Sequence, residues 1–365
     1  MAATYFQQRV DKLRRLLRRA QADAILVTDF TNVTYLTGFT GDDSYLLVTH
    51  KNQIILSDPR YTTQLEEECP RVDREIRSPG TKMIESVAKV VGQAKVSKLA
   101  VEAASMTLAL RDSIAGALPK VALVPTANVV ESLRQIKDKS EVAAIREAVA
   151  IAERAFGVIR ASLTPEQTEK EIADEIDHQV RRFGGSGCSF PPIVAVGPRA
   201  ALPHARAGDR RIGESDFVLI DWGAKGKLYM SDLTRVLATA RISPKLERIY
   251  GVVLKAQQQG IAAIRAGALL KDVDAAARGV IEKAGFGKQF GHGLGHGVGL
   301  QIHEAPRLAK TENAPLQASM VVTVEPGIYL PGWGGVRIED DVLVTRTGGE
   351  VLSSVPKEFG ECVVG

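Results

Sequence analysis

Two stretches of the C-terminal half, AERAFGVIRASL (residues 152–163) and QQQGIAAIRAGALL (residues 257–270), each place an Ile-Arg pair late in a helical pattern. A second helical pattern and then a β-rich region follow each of them along the chain. This spacing predicts a repeated helix-helix-strands unit, and two such units facing each other would enclose a cleft between their sheets. The alternative is that the two helix pairs are alike only because amphipathic helices share one pattern.

A capping pattern marks the start of the second helix in the first pair. Thr164-Pro165-Glu166-Gln167 offers a threonine as N-cap, a proline at the first helical position and a glutamine at the capping-box position. We therefore predict that Thr164 caps this helix and that the helix ends near Phe183, before two glycines.

The first third of the chain has a different pattern, in which short β-rich runs alternate with helices, as in an α/β sheet domain. A chain of 365 residues also exceeds what one hydrophobic core usually serves. We therefore predict a protein of the mixed α/β (α+β) class with two domains, residues 1–130 and residues 131–365.

Composition and charge exclude several classes of partner. With 47 basic and 43 acidic side chains, the net charge of +4 is too small to indicate nucleic acid or a polybasic membrane anchor. The N-terminal residues lack the apolar core of a signal peptide, and no stretch approaches the roughly 18 apolar residues of a membrane span. Cys69, Cys188 and Cys362 are far apart and form no CxxC pair, which is typical of a reducing compartment. We expect a soluble, cytoplasmic protein.

Two aspartates follow one another at the ends of β-rich runs. Asp221 ends the apolar run FVLI (residues 217–220), and Asp232 lies in YMSDLTR (residues 229–235), one short hairpin later. A carboxylate at the end of a buried strand is costly unless it is paired, protonated or bound to a metal. Two carboxylates on adjacent strands can share one cation or bridge two, although a single strand-end aspartate is more often a turn or cap residue.

The segment GHGLGHGVG (residues 291–299) adds imidazoles to these carboxylates. His292, His296 and His303 are three of the six histidines of the protein and fall within twelve residues. Glycines let the backbone approach other groups closely, and imidazoles can ligate a metal or move protons.

Other known functional motifs do not match the sequence in or near this segment. No frame fits GxGxxG, so a dinucleotide site is not supported, and the sequence has no GxSxG nucleophile elbow. His303-Glu304 begins like HExxH, but Arg307 stands where the second histidine of a thermolysin-like zinc site would be.

Two glutamates complete the set of candidate ligands. Glu325 lies in VVTVEPG (residues 321–327) and Glu339 in VRIED (residues 336–340), each after a short β-branched run. Four carboxylates that converge without cations would repel one another. One imidazole with four carboxylates suits two divalent ions about 3.5–4 Å apart, such as Mn²⁺, Co²⁺, Fe²⁺ or Zn²⁺.

Five of these residues, in this order and in these motifs, resemble the metal ligands of the pita-bread metallopeptidases of family M24, which includes methionine aminopeptidase, aminopeptidase P and prolidase. They are Asp221, Asp232, His296, Glu325 and Glu339. The first domain resembles the creatinase/prolidase N-terminal domain in TNVTYLTGFTG (residues 31–41) and DPRYTTQ (residues 58–64). LRQIKDKSEVAAIREA (residues 133–148) resembles the junction between the two domains of these proteins. The resemblance implies a creatinase-like N-terminal domain and a C-terminal pita-bread domain with pseudo-two-fold repeats.

The resemblance also implies a role for each ligand. Asp221 is expected to bind one metal ion and His296 the other, while Asp232 and Glu339 bridge both. Glu325 is expected to ligate a metal and to act as general base for a metal-bridging hydroxide. Mn²⁺ is the expected ion, with Co²⁺, Zn²⁺ and Fe²⁺ as alternatives.

Further residues match positions around the metals. His204, in AALPHARAG (residues 200–208), and His303 match histidines that stabilise the tetrahedral intermediate or deliver a proton to the leaving nitrogen. His292 matches a histidine of the substrate pocket. Arg337 is expected beside the substrate, as a partner of the bridging carboxylates, because it lies two residues before a ligand on the same face of a strand.

The function implied is hydrolysis of the peptide bond before proline, in dipeptides or at the N-terminus of peptides. The N-terminal domain favours aminopeptidase P or prolidase over methionine aminopeptidase, and a homodimer is expected. Two alternatives stay open: a metal-free hydrolase like creatinase, and a non-catalytic peptide-binding protein of the pita-bread fold. Such chains tend to lose the metal ligands, whereas all five are present here.

Overall fold

The computed structural model describes residues 2–239 and 242–364 of the protein. They form two compact units, which meet along the chain between Arg134 and Gln135, just after the predicted boundary at residue 130. Each unit has its own cluster of buried apolar side chains.

The first unit contains a six-stranded sheet in the order β4-β3-β2-β1-β5-β6. Strand β2 is antiparallel to both β1 and β3, whereas the other neighbouring pairs are parallel. The strands are β1 (Ala24–Val27), β2 (Tyr45–Thr49), β3 (Gln53–Ser57), β4 (Asp73–Ile76), β5 (Lys98–Glu102) and β6 (Ala122–Thr126). The helices are α1 (Ala2–Arg19), α2 (Phe30–Thr37), α3 (Thr62–Glu68), α4 (Met83–Gln93), α5 (Leu108–Ala117) and α6 (Val129–Arg134). The α/β pattern predicted for this part of the chain is confirmed.

Helix α2 was not predicted, because its sequence is rich in β-branched residues that weaken helix propensity. Its two ends stabilise it instead. Asp29 caps its N-terminus by accepting a 3.1 Å hydrogen bond from the backbone N–H of Asn32. Gly38 ends it in the left-handed conformation, at a φ of 83° that a glycine adopts without strain.

The second unit contains two helix pairs, each followed by strands, in the order that the repeat predicts. The first pair is α7 (Lys139–Ser162) and α8 (Glu169–Arg182), and the second is α9 (Pro244–Ala263) and α10 (Leu270–Lys283). The strands after the first pair are β7 (Gly187–Cys188), β8 (Ile193–Val196), β9 (Phe217–Trp222), β10 (Ala224–Gly226), β11 (Tyr229–Met230) and β12 (Leu233–Ala238). Those after the second pair are β13 (Gly295–Gly297), β14 (Glu304–Leu308), β15 (Val321–Val324), β16 (Gly327–Leu330), β17 (Gly334–Arg337), β18 (Asp340–Val344) and β19 (Gly349–Val351).

The strands of the second unit, as far as the structure describes it, form four sheets. They are β12-β9-β8, β14-β13-β15-β18-β19, β11-β10-β7 and β16-β17. An isolated antiparallel bridge between Thr234 and Glu339 joins the first two of these sheets. One apolar cluster packs both helix pairs against the strands. Within this cluster, the buried Trp222 stacks on Phe156 with ring centroids 4.1 Å apart.

The predicted N-cap of α8 is wrong by four residues. Thr168 caps the helix, in a capping box with Glu171, whereas Thr164 and Gln167 form a separate turn before it. Both threonines precede a glutamate or glutamine by three positions, so the local pattern alone does not distinguish them. Across the described part of the chain, the helices are too short or too polar to span a membrane.

Candidate metal centre

The predicted aspartate ligands lie on two paired strands. Asp221 is in β9, whose six residues are all buried, and Asp232 comes directly before β12. The strands are antiparallel, with Asp221 opposite Thr234. The bridge from Thr234 to Glu339 brings a third carboxylate to the same edge. Residues far apart in the sequence are thus held close together by backbone pairing.

His296 enters this group from β13. Its Nε2 lies 3.6 Å from Asp232 Oδ2 and 3.4 Å from Glu325 Oε1. Its Nδ1 is 3.1 Å from the carbonyl oxygen of Gly297, which leaves Nε2 facing the carboxylates. One ligand atom from each of Asp232, His296 and Glu339 lies within 4.8 Å of the other two.

Gly295 makes this position of His296 possible. A β-carbon at Gly295 would lie 2.1 Å from the carbonyl oxygen of Thr323 on β15, so a larger residue would push the strands apart. Thr323 also orients two candidate ligands. Its hydroxyl accepts a 3.1 Å bond from the backbone N–H of His296 and donates one of 3.3 Å to Glu325 Oε1.

A buried network surrounds Asp221 and Glu339. Arg337 donates from Nη2 to Asp221 Oδ2 and from Nε to the hydroxyl of Thr234, at 3.1 Å in the second case. Thr234 in turn donates to Glu339 Oε2 at 2.6 Å. Arg337 therefore holds Asp221 directly and is linked by hydrogen bonds to the predicted bridging carboxylate Glu339 through Thr234.

The network continues to His292. Arg337 donates from Nη1 to the hydroxyl of Tyr329 at 2.9 Å, and that hydroxyl is 3.0 Å from His292 Nε2. Arg337 is buried, and its hydrogen bonds go to Thr234, Tyr329 and Asp221, which supports its predicted role as a carboxylate partner. A direct contribution of Arg337 to substrate binding stays a prediction.

Burial sets the protonation of the carboxylates. It raises the pKa of Asp232 and of Glu339 well above the ordinary carboxyl range, and neighbouring carboxylates raise both further. It also raises the pKa of Asp221, with Arg337 acting against the rise, and that of Glu325 to about 7. These groups are therefore not expected to be ionised together at neutral pH unless cations offset their repulsion.

The pKa values of three histidines are lowered, in contrast to those of the carboxylates. Burial lowers the pKa of His296 to about 4, so at neutral pH its ring is the uncharged form that ligates metals. The ring of His303 lies edge-on to it, with centroids 4.4 Å apart, and burial lowers its pKa as well. Burial and the charges of Arg337 and Arg278 bring the pKa of His292 to about 4. His204 is exposed, and its charge is among the influences that lower the pKa of His303.

The donor set fits divalent metal ions. Asp221 Oδ1 is buried and accepts no hydrogen bond from the part of the chain that the structure describes, so it has a lone pair to offer. Carboxylate oxygens with a neutral imidazole suit hard or borderline divalent cations. Two such ions would also offset the repulsion among the four carboxylates.

Family profiles match both units. Residues 143–346 match metallopeptidase family M24, and residues 9–136 match the creatinase/prolidase N-terminal domain. The chain belongs to metallopeptidase family M24. This family depends on divalent metals, and in this M24 protein Asp232, His296 and Glu339 form a group that could hold one. The resemblance and the fold class predicted from the sequence are confirmed.

Relatives and solved structures cover nearly the whole M24 chain. A Bacillus subtilis protein named as the uncharacterised peptidase YqhT is 39% identical over 351 residues, which is 96% of this chain and 99% of its own length. The structure of an Xaa-Pro dipeptidase from Bacillus anthracis is 38% identical, with a TM-score of 0.94, and the match covers 98% of this chain and 100% of that one. An X-Pro aminopeptidase from Thermotoga maritima is 34% identical, with a TM-score of 0.90, over 96% and 100% of the two chains.

Several residues at this centre were not singled out from the sequence. Thr323 lies two positions before Glu325 and Thr234 two after Asp232, so the period of a strand could have pointed to them. Asp341, two positions after Glu339, accepts a 3.0 Å bond from the backbone N–H of Asp232.

Arg307 was noted only as a mismatch to a zinc motif. It lies opposite His296 in the pairing of β13 with β14, so the two side chains share one face of the sheet. Its side chain is exposed, and its charge is among the influences that lower the pKa of His296 and of His303, after burial. The face that carries the candidate ligand therefore also carries an exposed cation.

Proposed function

We propose that this M24 protein hydrolyses the peptide bond before proline with two divalent ions bound, and that its substrates are Xaa-Pro dipeptides. The buried donor set carries the proposal, because Asp232, His296 and Glu339 bring ligand atoms within 4.8 Å of one another, beside Glu325. Solved relatives named as an Xaa-Pro dipeptidase and as a prolidase, 38% and 31% identical, support the substrate class. A cytoplasmic homodimer is the proposed form.

The proposed ligands are Asp221, Asp232, His296, Glu325 and Glu339. The closeness of Asp232, Glu339 and His296 supports a shared role of these three residues at one ion. In the proposal, Asp232 and Glu339 would hold both ions, with Asp221 on one ion and His296 on the other. When bound, the two ions would lower the pKa of the attacking water and polarise the scissile carbonyl group. Mn²⁺ is the proposed ion, and Co²⁺, Zn²⁺ and Fe²⁺ share its ligand preferences.

Glu325 would accept the proton of the attacking water. In the metal-free protein burial raises its pKa to about 7, against the opposing influence of Arg337, and bound cations would lower this pKa and keep the carboxylate ionised. An ionised carboxylate beside the attacking water can accept its proton as a general base. The 3.3 Å hydrogen bond from Thr323 to Oε1 fixes the carboxylate while it receives the proton.

His204 and His303 would act on the substrate side. The nitrogen of proline in a peptide bond has no hydrogen and must be protonated before it can leave. Burial and the charge of His204 lower the pKa of His303, which makes the protonated ring a stronger acid. Together the two rings could hold the intermediate and deliver this proton, while His292 lines the substrate pocket.

Arg307 supports a dipeptide substrate. In an Xaa-Pro dipeptide the proline carries the free carboxylate, so a cation near the metals would meet that charge. Arg307 is exposed on the same face as His296, and a guanidinium can bind a carboxylate through two hydrogen bonds. A longer peptide has no carboxylate at this place.

Hydrolysis of Ala-Pro and Ala-Pro-Ala by metal-stripped protein, before and after adding Mn²⁺, tests the proposal. Metal-dependent cleavage of Ala-Pro alone is the expected result, and Glu325→Gln should abolish it. Cleavage of Ala-Pro-Ala would instead identify an X-Pro aminopeptidase, the second candidate, which the relative at 34% identity favours. Failure to cleave either peptide with any of the four ions would contradict the proposal.

A further inference from the structure

A buried carboxylate fixes the loop that carries His204. Glu169, the first residue of α8, is fully buried. Its carboxylate accepts hydrogen bonds from the backbone N–H of Val196 at 2.8 Å and of Gly208 at 2.9 Å. It also accepts two bonds from Nε of Arg199, at 3.0 and 2.9 Å. Glu169 therefore ties together both ends of the segment in whose middle His204 lies.

The same segment rests on the strand that carries Arg337. A β-carbon at Gly335 would lie 2.1 Å from the carbonyl oxygen of Ala200, so the backbones touch there. The carboxylate on one side and this close contact on the other leave the segment little freedom to shift.

A second buried carboxylate, that of Asp274, fixes the loop that carries His292. Asp274 in α10 is fully buried and accepts a 3.0 Å hydrogen bond from the backbone N–H of Leu294. It also accepts two bonds from Arg278, at 2.7 and 2.9 Å. Arg278 in turn donates to the carbonyl oxygens of Phe290 at 2.9 Å and of His292 at 2.6 Å.

The two arrangements share their chemistry and their place in the fold. In each, the second helix of a helix pair supplies a carboxylate, which binds an arginine and the backbone of a histidine-bearing loop. They are not copies of one position, because Glu169 opens α8 whereas Asp274 is the fifth residue of α10. Neither carboxylate is within hydrogen-bonding contact of the proposed metal ligands in the described structure.

We propose that Glu169 and Asp274 are positioning residues, each of which sets one cleft histidine independently of the other. Glu169 acts through the loop of His204 and Asp274 through that of His292. The kinetic consequence rests on the proposed function, because it assumes that both histidines act on the substrate. The structural consequence does not, since it concerns only which loop each carboxylate holds.

Hydrogen exchange on metal-free protein tests the structural part. Glu169→Gln should speed exchange in peptides covering residues 193–209 and leave residues 290–296 unchanged. Asp274→Asn should speed exchange in residues 290–296 and leave residues 193–209 unchanged. The reason is that the backbone N–H of Leu294 would then face a neutral acceptor in place of a carboxylate. Asp174→Asn, at an exposed carboxylate on α8, is the matched control and should change neither. Faster exchange in both loops from either variant would overturn the proposal.

Double-mutant cycles with Ala-Pro and Mn²⁺ test the kinetic part. Glu169→Gln should lower kcat/KM about tenfold to a hundredfold in the wild type, the order expected for a misplaced catalytic group. It should add little in a His204→Ala background but keep its full effect with His292→Ala. Asp274→Asn should show the reverse dependence, mainly through KM. If the carboxylate variants lowered kcat/KM only by disturbing the fold, their effect would not depend on which histidine is present.

The outcomes separate the two proposals. If Glu169→Gln keeps its full effect in the His204→Ala background, the positioning role is wrong even though the enzyme is active. If His204→Ala itself has the wild-type kcat/KM, the proposed role of His204 is wrong, and hydrogen exchange still decides the positioning. Should either carboxylate variant fail to fold, Arg199→Lys and Arg278→Lys probe the same two contacts at partly exposed side chains.

Discussion

Thr234 donates a 2.6 Å hydrogen bond from its hydroxyl to Oε2 of Glu339, across the bridge that also joins the two residues through their backbones. The backbone N–H of Glu339 donates to the carbonyl oxygen of Thr234 at 3.2 Å. The same hydroxyl accepts a 3.1 Å bond from Nε of Arg337. Thr234 thus aligns a proposed bridging ligand and connects it to the arginine that holds Asp221.

Removing this hydroxyl should weaken metal binding. Thr234→Val keeps the shape of the side chain but leaves Glu339 Oε2 and Arg337 Nε without their shared partner. We expect Mn²⁺ affinity to fall about tenfold to a hundredfold, the usual effect of losing a partner that orients a ligand. Isothermal titration of metal-stripped protein measures it. The control is Thr239→Val, whose hydroxyl bonds to Ser215 in the same unit, and equal affinity for Thr234→Val and wild type would refute the role.

The metal-free protein should lose stability with rising pH through Glu325. Burial raises the pKa of Glu325 from 4.5 to about 7, so the folded state keeps a proton that the unfolded chain releases in this window. Its contribution to stability is therefore complete below 4.5, falls as the pH rises towards 7 and is constant above. We expect the free energy of unfolding of the wild type, relative to Glu325→Gln, to fall by about 3 kcal/mol between pH 4.5 and pH 7.

Urea unfolding of both metal-free proteins at a series of pH values measures this difference. Subtracting the variant removes the titration of groups that Glu325 does not influence, such as His292, whose pKa burial lowers to about 4. Asp232 and Glu339, whose pKa values burial and Glu325 both raise, add to the difference with the same sign. A difference that does not change with pH, or that rises with it, would contradict the predicted environment of Glu325.

The sequence predicted helices, strands and strand neighbours correctly where the pattern that indicates them is local. Asp221 and Asp232 were expected on adjacent strands because a short hairpin separates two β-rich runs, and β9 does pair with β12. The helix pairs were expected from their helical pattern, and α7–α8 and α9–α10 are the two pairs. These features depend on residues fewer than about twenty positions apart, within the range of such patterns.

Other features depend on contacts that leave no periodic trace. The Thr234–Glu339 bridge joins residues more than a hundred positions apart, and neither segment carries a sign of the other. The choice of Thr168 over Thr164 as N-cap has a similar cause. Thr168 is followed by Glu169, whose burial against the His204 loop fixes where α8 begins. Tertiary contacts thus decide between two equal local patterns.

A buried ion pair behind the candidate site should contribute strongly to stability. Arg235 donates to Asp340 at 2.7 Å, and each side chain is 1% exposed. Burial raises the pKa of Asp340, but Arg235 and Lys357 more than offset the rise and hold it below 3.8. Asp340→Ala would leave a buried guanidinium without its carboxylate, which we expect to cost about 3–5 kcal/mol.

Urea unfolding measures this cost, and an exposed pair in the same unit provides the control. Glu350 accepts a 2.7 Å bond from Arg146, with the two side chains 48% and 42% exposed. Glu350→Ala should cost less than about 1 kcal/mol, because solvent screens such a pair. Similar losses for the two variants would show that the buried pair is no stronger than a surface one.

Arg307 should decide whether the enzyme requires a free carboxylate on proline. Arg307→Met keeps much of the length of the side chain but removes its charge. We expect KM for Ala-Pro to rise about tenfold to a hundredfold, the order of one or two charge-assisted hydrogen bonds. For Ala-Pro amide, which lacks the carboxylate, KM should hardly change, so the preference of the wild type for the acid should disappear. Arg111→Met, at an exposed arginine of the first unit, is the matched control. An unchanged KM for Ala-Pro would remove Arg307 from substrate binding, and the preference for dipeptides would then need another origin.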